Sequence, residues 1–597
     1  ARGRPDAPRR PARRAPGHHR RRRRARLRRR GVLRARQGGQ GQGLAPAGGH
    51  RRREPLRADR HADRRRCLRP GHLGVLPAPG DSDAAREAVQ RSVLAEPGGG
   101  APVHGVRHAH QRGRRDPRLP VLPGGHVQPR ALHLHRSGGH PAEHARPGSA
   151  KPQAAGALPA EPAFLLADEV VGQSAPSKLE AIKASLKKQR VSYHLVSSLD
   201  DMAWIFNLRG QDVGFNPVVL SFALIAEDKV KIYLDQHKLT ASDLATLAAQ
   251  NVEVVGYDTL ASDLQQIPSD SSILIDPKRN CLFMYKQVPA GVLKVLETNP
   301  STYLKAIKNE VEIANTRKTM IKDGAAMTKF FKWVKENVDK VEITEISAAE
   351  KLRGFRAEQD GFVGESFNTI AGYKAHGALP HYAATPESDV QVKADGLFLV
   401  DSGGQYQYGT TDITRVIPMG NNTDEESTDY TLVLKAMIEG CKTRFPKGTC
   451  GYQIDAITRR PMWDYALNYG HGTGHGVGYY LNVHEGPHVF NASATPIAIE
   501  LGTITSIEPG IYRIGKHGIR IENLVLTVKD TTNEFNEFYA FESLTLAPID
   551  TTLVKKELLE DSHIQWLNNY QQEVYEKVSP LLNEEEKAFL KEMTKAI

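Results

Sequence analysis

The chain has 597 residues, enough for three or four domains, and its charge is divided unevenly along its length. Residues 1–150 hold 36 arginines, no lysine and ten acidic residues, a net charge of +26, so the other 447 residues carry −13. Four cysteines without CxxC spacing exclude a disulfide framework and a cysteine zinc site. We find no apolar run of 18 residues, and we therefore expect a soluble, cytoplasmic protein with no membrane partner.

Residues 1 to about 155 lack the composition of a folded domain. The first 150 contain no Ile, Phe, Tyr, Trp, Met, Asn, Thr or Lys, so they can bury little apolar area against the entropy of ordering the chain. One interpretation is an unstructured basic tail, and another is a nucleic-acid-binding arm, although nucleic acid is not the partner we expect. The joint absence of residues with AT-rich codons favours a third interpretation, GC-rich DNA translated in an unintended frame. We expect residues 1–157 to be disordered or spurious.

Residues 158–302 are predicted to form an α/β domain, because helical and strand-like segments alternate at short intervals. This segment holds no catalytic constellation. The predicted helices are Ser177–Lys188 and Ser242–Gln250, and the predicted strands are Val191–Val196, Val218–Ile225, Val230–Leu234, Val252–Val255 and Ser272–Ile275.

Residues 303–597 are predicted to form a mixed α+β domain. A long amphipathic helix runs from about Tyr303 toward Val338, and a second helix begins at Thr344, whose side chain can cap it. Later helices are expected near Asp424–Arg444, Gln453–Leu467 and Glu584–Ala596. The predicted strands are Gly396–Asp401, Tyr406–Ile417, Gly502–Glu508, Gly518–Val528 and Phe538–Leu546.

Three histidines (His471, His475 and His484) lie within 14 residues, and the stretch 471–486 that contains them holds five glycines, which let the backbone approach another group closely. Imidazole is a common metal ligand and a proton carrier near neutral pH. Three histidines alone do not make a site, and a metal centre here would need carboxylates from elsewhere in the chain.

Four acidic residues are candidates to supply those carboxylates. Asp401 and Asp412 are eleven residues apart, so on one continuous strand they would face opposite ways, but a turn at the intervening glycines could bring them together. Glu508 and Glu522 each lie in a mostly apolar strand, where an unpaired carboxylate is costly. With His475 they form an oxygen-rich set that suits Mn²⁺, Mg²⁺ or Co²⁺ and could take Zn²⁺. Four carboxylates carry too much charge for one divalent ion, which favours two ions about 3.5–4 Å apart.

The spacing of these five residues, with His381 in Leu-Pro-His-Tyr, resembles the pita-bread metallopeptidases, which include methionine aminopeptidase, prolidase and aminopeptidase P. Residues 199–213 and 216–221 are similar to the second domain of cytosolic, three-domain aminopeptidase P, and residues 541–550 and 566–570 also match that subfamily. The resemblance covers residues 158–597. The pattern of the family's first domain is missing from residues 1–157, and Tyr408 stands where many relatives carry an acidic residue.

The resemblance implies a creatinase-type middle domain before a pita-bread catalytic domain, and hydrolysis of an N-terminal Xaa-Pro peptide bond by water activated between two divalent metal ions. The expected metal is Mn²⁺, with Co²⁺ or Zn²⁺ as alternatives. Asp412 and Glu522 would bridge the ions, Asp401 would complete one site, and His475 and Glu508 would complete the other. Glu508 would also carry the proton to the departing proline nitrogen.

The resemblance also implies roles around the substrate, a peptide with proline in second position. His484 would stabilise the oxyanion, His381 would bind the proline side, His471 would line the pocket, and Arg520 would orient ligands or substrate. A homodimer is a further expectation. The alternatives are a prolidase that cleaves Xaa-Pro dipeptides and a non-catalytic pita-bread module that binds peptides or nucleic acid.

Overall fold

The structure is a computed structural model that describes residues 158–597. The predictions for residues 1–157 lie outside the described residues. Among those described, none of the helices combines the length and the apolar character needed to cross a bilayer.

The middle domain, taken as residues 158–302, contains eight strands, six of which form one mixed sheet. The strands are β1 (Phe164–Leu165), β2 (Tyr193–Val196), β3 (Leu208–Arg209), β4 (Phe222–Ala226), β5 (Val230–Tyr233), β6 (Val252–Val255), β7 (Ser272–Ile275) and β8 (Leu293–Leu296). Its helices are α1 (Asp168–Val171), α2 (Ala175–Lys188), α3 (Leu199–Ile205), α4 (Ala241–Ala249), α5 (Leu260–Gln265) and α6 (Leu282–Gln287), followed by α7 (Pro300–Ala306) at the junction.

The sheet order is β6-β5-β4-β2-β7-β8, antiparallel where β4 meets β2 and β5 and parallel elsewhere, and β1 pairs with β3 apart from it. All five predicted strands and both predicted helices are present, with the predicted bounds for Val252–Val255 and Ser272–Ile275 and with shifted ends for the others, so the predicted α/β class is confirmed. The domain boundary drawn at residue 302 stays a prediction.

The C-terminal domain (residues 303–597) surrounds several antiparallel sheets with long helices. Its helices are α8 (Glu310–Asn337), α9 (Glu345–Ala357), α10 (Asp424–Cys441), α11 (Gly451–Trp463), α12 (Asp561–Val578) and α13 (Glu584–Met593). Its strands are β9 (Phe362–Glu365), β10 (Ile370–Tyr373), β11 (Gly396–Ser402), β12 (Gly404–Tyr406), β13 (Gly409–Thr410), β14 (Ile413–Gly420), β15 (Phe445–Pro446), β16 (Gly474–Gly476), β17 (Glu485–Phe490), β18 (Ile504–Ile507), β19 (Gly510–Arg513), β20 (His517–Arg520), β21 (Asn523–Thr532) and β22 (Glu537–Ser543).

Two of these sheets position the candidate site. One has the order β15-β22-β21-β18-β16-β17, and the other has the order β10-β11-β14. The main core packs the inner faces of α10 and α12 against strands of both sheets. This is the mixed α+β arrangement that the sequence predicts.

Three predicted elements of this domain are wrong as single units. The helix from Tyr303 toward Val338 is two helices, because Asn309 caps a new start by accepting hydrogen bonds from the backbone of Val311 and Glu312. The segment 406–417 turns back on itself and contributes to β12, β13 and β14. The segment 518–528 is interrupted between β20 and β21, at the position of Glu522. In the two strand segments, long-range packing overrides a local preference for extended structure.

Candidate metal centre

The two aspartates meet because β11 and β14 form an antiparallel ladder. Asp401 pairs with Thr414 across that ladder, and Asp412 lies two residues before Thr414, so Asp401 and Asp412 belong to the same face of the sheet. The odd spacing that would separate them on one strand is therefore compatible with a common site once the chain folds back. The predicted reversal of the chain is present, but it lies between Tyr406 and Gly409 and not at Gly403-Gly404, where a turn or bulge is expected from the sequence.

The two glutamates come together by the same logic at the ends of β18 and β21. Ile507 pairs with Asn523, so Glu508 and Glu522 occupy the next opposed positions, just beyond the last pair. The Glu522 backbone N–H donates to the Thr414 carbonyl at 3.1 Å, and the Thr414 hydroxyl donates to Glu522 Oε2 at 2.7 Å. These bonds join the sheet that carries the glutamates to the sheet that carries the aspartates.

His475, on β16, completes the cluster. Its Nε2 lies 3.3 Å from Asp412 Oδ2 and 3.5 Å from Glu508 Oε1, while its Nδ1 is 2.9 Å from the carbonyl of Gly476. Donation from Nδ1–H to that carbonyl leaves the Nε2 lone pair facing the carboxylates, as a metal ligand requires. Gly474 allows this close approach, since a Cβ there would lie 1.8 Å from the carbonyl oxygen of Ser506.

The donor set fits divalent cations. One ligand atom from each of Asp412, His475 and Glu522 can be chosen so that all three lie within 4.8 Å of one another. Asp401 Oδ1 and Glu522 Oε1 are buried and accept no hydrogen bond within residues 158–597. A buried carboxylate oxygen without a partner is costly, and a bound cation removes that cost.

Electrostatics also indicate an excess of negative charge. Burial raises the pKa of Glu508 to about 7, despite the opposing influence of His475 and Arg520. Burial, and then the charges of Asp412 and Glu508, raise the pKa of Glu522 well above its usual range. Against the lowering effect of burial, the hydrogen bond to Asp412 and the charge of Glu508 raise the pKa of His475 to about 9. These carboxylates crowd together, and cations would stabilise their charged forms.

Arg520 is buried beside the cluster and contacts one of its carboxylates. Its Nη2 donates to Asp401 Oδ2 at 2.6 Å, its Nε to the Thr414 hydroxyl at 3.1 Å, and its Nη1 to the Tyr512 hydroxyl at 2.7 Å. The same Tyr512 hydroxyl is 2.8 Å from His471 Nε2. Arg520 and His471 therefore belong to one network that ends on Asp401.

Of the remaining histidines, His381 and His484 are exposed, whereas His471 is partly buried. The His484 ring packs edge-on against His475, with centroids 4.2 Å apart, and it stays exposed to solvent. Neighbouring side chains desolvate part of this ring, and that effect, followed by the charges of His475 and His381, lowers the pKa of His484 to about 4. Burial lowers the pKa of His471 to about 4 as well, with a smaller contribution from His381. His381 is exposed and close enough to influence both.

The structure thus brings all nine predicted site residues into one region, while their individual roles stay predictions. Sequence reasoning missed three supporting residues, Thr414, Ser506 and Tyr512. Ser506 accepts a hydrogen bond from the His475 backbone at 3.0 Å and donates to Glu508 Oε1 at 3.1 Å. Two of the three could have been found, because Thr414 and Ser506 each lie two residues from a candidate ligand and so share its strand face.

Family comparisons agree with this arrangement. Residues 314–529 match metallopeptidase family M24, residues 154–312 match the creatinase/prolidase N-terminal domain, and residues 537–597 match the C-terminal region of peptidase M24. A solved prolidase-type structure, the Xaa-Pro dipeptidase from Bacillus anthracis, is 22% identical with a TM-score of 0.51 over 63% of this chain and 99% of its own, which shows a shared fold alone.

More similar proteins narrow the family. A probable Xaa-Pro aminopeptidase P of Coprinopsis cinerea is 37% identical over 74% of this chain and 73% of its own length. Xaa-Pro aminopeptidase 1 of Dictyostelium discoideum is 38% identical over 70% and 68%. The X-prolyl aminopeptidase from Caenorhabditis elegans, described as a cytosolic enzyme with a di-nuclear active site, is 33% identical with a TM-score of 0.71 over 74% of each chain. The predicted family and its pita-bread fold are confirmed: this chain belongs to metallopeptidase family M24 and, within it, to the Xaa-Pro aminopeptidases.

Proposed function

We propose that the chain is a metalloaminopeptidase that releases the N-terminal residue of peptides whose second residue is proline. The observation that carries this proposal is the convergence of four carboxylates and one imidazole, with buried carboxylate oxygens that have no hydrogen-bond partner in the described part of the chain. Membership of the Xaa-Pro aminopeptidases supplies the substrate class. A non-catalytic binding module is disfavoured, because all five candidate ligands are present.

We propose that Asp401, Asp412, His475, Glu508 and Glu522 hold two divalent cations, with Asp412 and Glu522 shared between them. Mn²⁺ is the proposed metal, and Co²⁺ or Zn²⁺ are the alternatives. When bound, such a pair lowers the pKa of water and polarises the carbonyl of the scissile bond. Arg520 would keep Asp401 oriented through its 2.6 Å hydrogen bond.

The chain's own groups can serve the remaining steps. Glu508 Oε1 is held by Ser506 at 3.1 Å, and we propose that its other oxygen takes a proton from the attacking water and delivers it to the proline nitrogen. This proton matters because a tertiary amide nitrogen leaves poorly until it is protonated. The exposed side chain of His484 would donate a hydrogen bond to the oxyanion of the substrate. His381 would contact the proline side, and His471, fixed by Tyr512, would line the pocket.

The test is an assay of the purified full chain with Xaa-Pro-Yaa tripeptides and Xaa-Pro dipeptides, alongside metal analysis. We expect the tripeptide to lose its first residue, two equivalents of metal to be bound, and chelation to abolish activity until a divalent cation is restored. Preference for the dipeptide would instead establish the prolidase alternative. Asp412→Asn should abolish activity, and substantial turnover by that variant when metal-replete would refute the two-metal proposal.

We also propose a cytoplasmic location and a homodimer, with the middle domain and the C-terminal domain divided near residue 302. The location is supported by the description of the Caenorhabditis elegans relative as cytosolic. Light scattering on the purified chain tests the oligomeric state, and limited proteolysis tests the boundary.

A further inference from the structure

The loop that carries His484 is held from outside the C-terminal domain. We define the His484 loop as residues 477–485, which connect β16 to the start of β17. Leu481, in its middle, is buried in the apolar core of the middle domain, packed with residues of α2, α3 and the central sheet. A side chain of one domain therefore completes the core of the other.

A buried arginine of the middle domain forms hydrogen bonds with the same loop. Arg209 is 2% exposed, and its Nε donates to the Tyr480 carbonyl at 2.7 Å while its Nη2 donates to the Tyr479 carbonyl at 3.2 Å. Its Nη1 is fixed by the Ala203 carbonyl at 2.7 Å, within α3. The planar guanidinium thus links α3 to two successive carbonyls of the loop, a geometry that a lysine cannot reproduce.

The conformation held in this way is a strained one. Tyr480 has φ of 45°, in the left-handed region that residues other than glycine rarely adopt. A residue other than glycine keeps this conformation only where its surroundings enforce it. Arg209 supplies part of that enforcement at the Tyr480 carbonyl. From the catalytic side, the Gln405 side chain donates to the Leu481 carbonyl at 2.7 Å.

The far end of the loop is fixed by a second buried contact. Glu485, the residue after His484, forms an ion pair with Lys308 and lies 3.9 Å from Lys305, and all three side chains are almost fully buried. Lys305 in turn lies 3.1 Å from Asp200 of α3. His484 is therefore bracketed on both sides by contacts that lead back to α3 of the middle domain.

We infer that the middle domain positions His484 for the reaction, with Arg209 as the positioning residue that acts through the Tyr479 and Tyr480 carbonyls. This inference rests on the proposed function, because it takes His484 to act on the substrate. The hydrogen bonds of Arg209 go to backbone carbonyls and to none of the candidate metal ligands. It sets where the imidazole of His484 stands relative to the His475 ring, and a displacement of about 1 Å at such a group can lower the rate about 100-fold.

The test compares Arg209→Lys with Lys178→Met, a matched control. Lys178 is also buried in the middle domain and donates to the Trp204 carbonyl at the end of α3, but its hydrogen bonds do not reach the His484 loop. We expect Arg209→Lys to increase hydrogen–deuterium exchange in residues 477–485 and to lower kcat about 10- to 100-fold, with little change in KM or metal content. Lys178→Met should lower thermal stability without either effect.

A double-mutant cycle with His484→Ala then tests whether the effect of Arg209 on kcat passes through His484. If Arg209 acts through His484, adding Arg209→Lys to His484→Ala lowers kcat no further. Additive losses, or unchanged exchange in residues 477–485, would overturn the inference, as would raised exchange with an unaltered kcat. If even the unmodified chain fails to cleave Xaa-Pro-Yaa peptides, the proposed function fails, while the exchange measurement still decides whether Arg209 holds the loop.

Discussion

Gly474 offers a sharp test of how the metal centre is built, because the neighbouring strands β16 and β18 can approach there only without a side chain. A Cβ at this position would lie 1.8 Å from the carbonyl oxygen of Ser506 and 2.7 Å from its carbonyl carbon. An ordinary carbon–oxygen contact is about 3.3 Å, so Gly474→Ala must separate β16 from β18 by about 1.5 Å. Both contacts are with backbone atoms, so no flexible side chain can move aside to relieve the clash.

That separation acts directly on the neighbouring ligand. His475 Nε2 stands 3.3 Å from Asp412 and 3.5 Å from Glu508, and metal sites tolerate errors of only about 0.2 Å in ligand position. We expect Gly474→Ala to bind fewer than two equivalents of metal, to lose at least about 100-fold in kcat, and to be destabilised by about 1–3 kcal/mol. The assays are metal analysis, Xaa-Pro-Yaa turnover and chemical unfolding.

Gly470 provides the control in the same segment. An ideal Cβ there meets no atom within 4 Å, so Gly470→Ala should keep full metal content and turnover. Wild-type turnover and two bound metals in Gly474→Ala would refute the argument that close backbone approach fixes His475. Equal losses in both variants would show that the segment tolerates no side chain at all, for a reason other than this contact.

Two further predictions concern the helix α12. The hydrogen bond from His563 lowers the pKa of Glu439 to about 2. The ionised carboxylate therefore stabilises the fold at pH values above its ordinary pKa, and this contribution is lost as the pH falls from about 5 to about 2. Glu439→Gln should flatten that part of a plot of unfolding free energy against pH. The Tyr570 hydroxyl accepts hydrogen bonds from Arg415 Nη2 at 2.8 Å and from the buried Ala547 N–H at 3.3 Å. Tyr570→Phe should cost about 1–3 kcal/mol, because it removes the acceptor of that N–H, whereas Tyr575→Phe on the same helix, where the side chain is only partly buried, should cost less. An unchanged pH slope, or equal unfolding midpoints for the two tyrosine variants, would contradict these expectations.

The metal-ligand candidates could be found from sequence because their signal is local. An acidic residue inside a run of apolar, β-prone residues is costly to bury, and Glu508 and Glu522 both occur in this setting. The pairing of Asp401 with Asp412 needed one further assumption, a turn between them, which the antiparallel register of β11 and β14 bears out. The strands and helices of the middle domain were likewise marked by periodicity within each segment.

The breaks in regular structure could not be predicted in the same way. Residues 406–417 alternate like one strand, yet the chain reverses between Tyr406 and Gly409, because β12 pairs with both β13 and β9. The interruption at Glu522 is set by Thr414, 108 residues earlier in the chain. Partners at such separations leave no trace in a local pattern, and the hydrogen bond from Arg209 to Tyr480, 271 residues away, is a further case.

The contacts between the middle domain and the His484 loop link the activity of the chain to the folding of that domain. Full burial of a leucine side chain contributes about 1.5–3 kcal/mol, so the middle domain cannot open without losing its packing against Leu481. Opening would also release the Tyr479 and Tyr480 carbonyls from Arg209. The five candidate metal ligands lie on sheets of the C-terminal domain, which need not open at the same time. We therefore expect that, as urea is raised, turnover is lost at the same concentration at which residues 158–302 unfold, while the metal remains bound. Hydrogen exchange of the amides of residues 158–302 measures that unfolding. Loss of metal before or together with turnover would show that the centre itself, and not the position of His484, limits the active range.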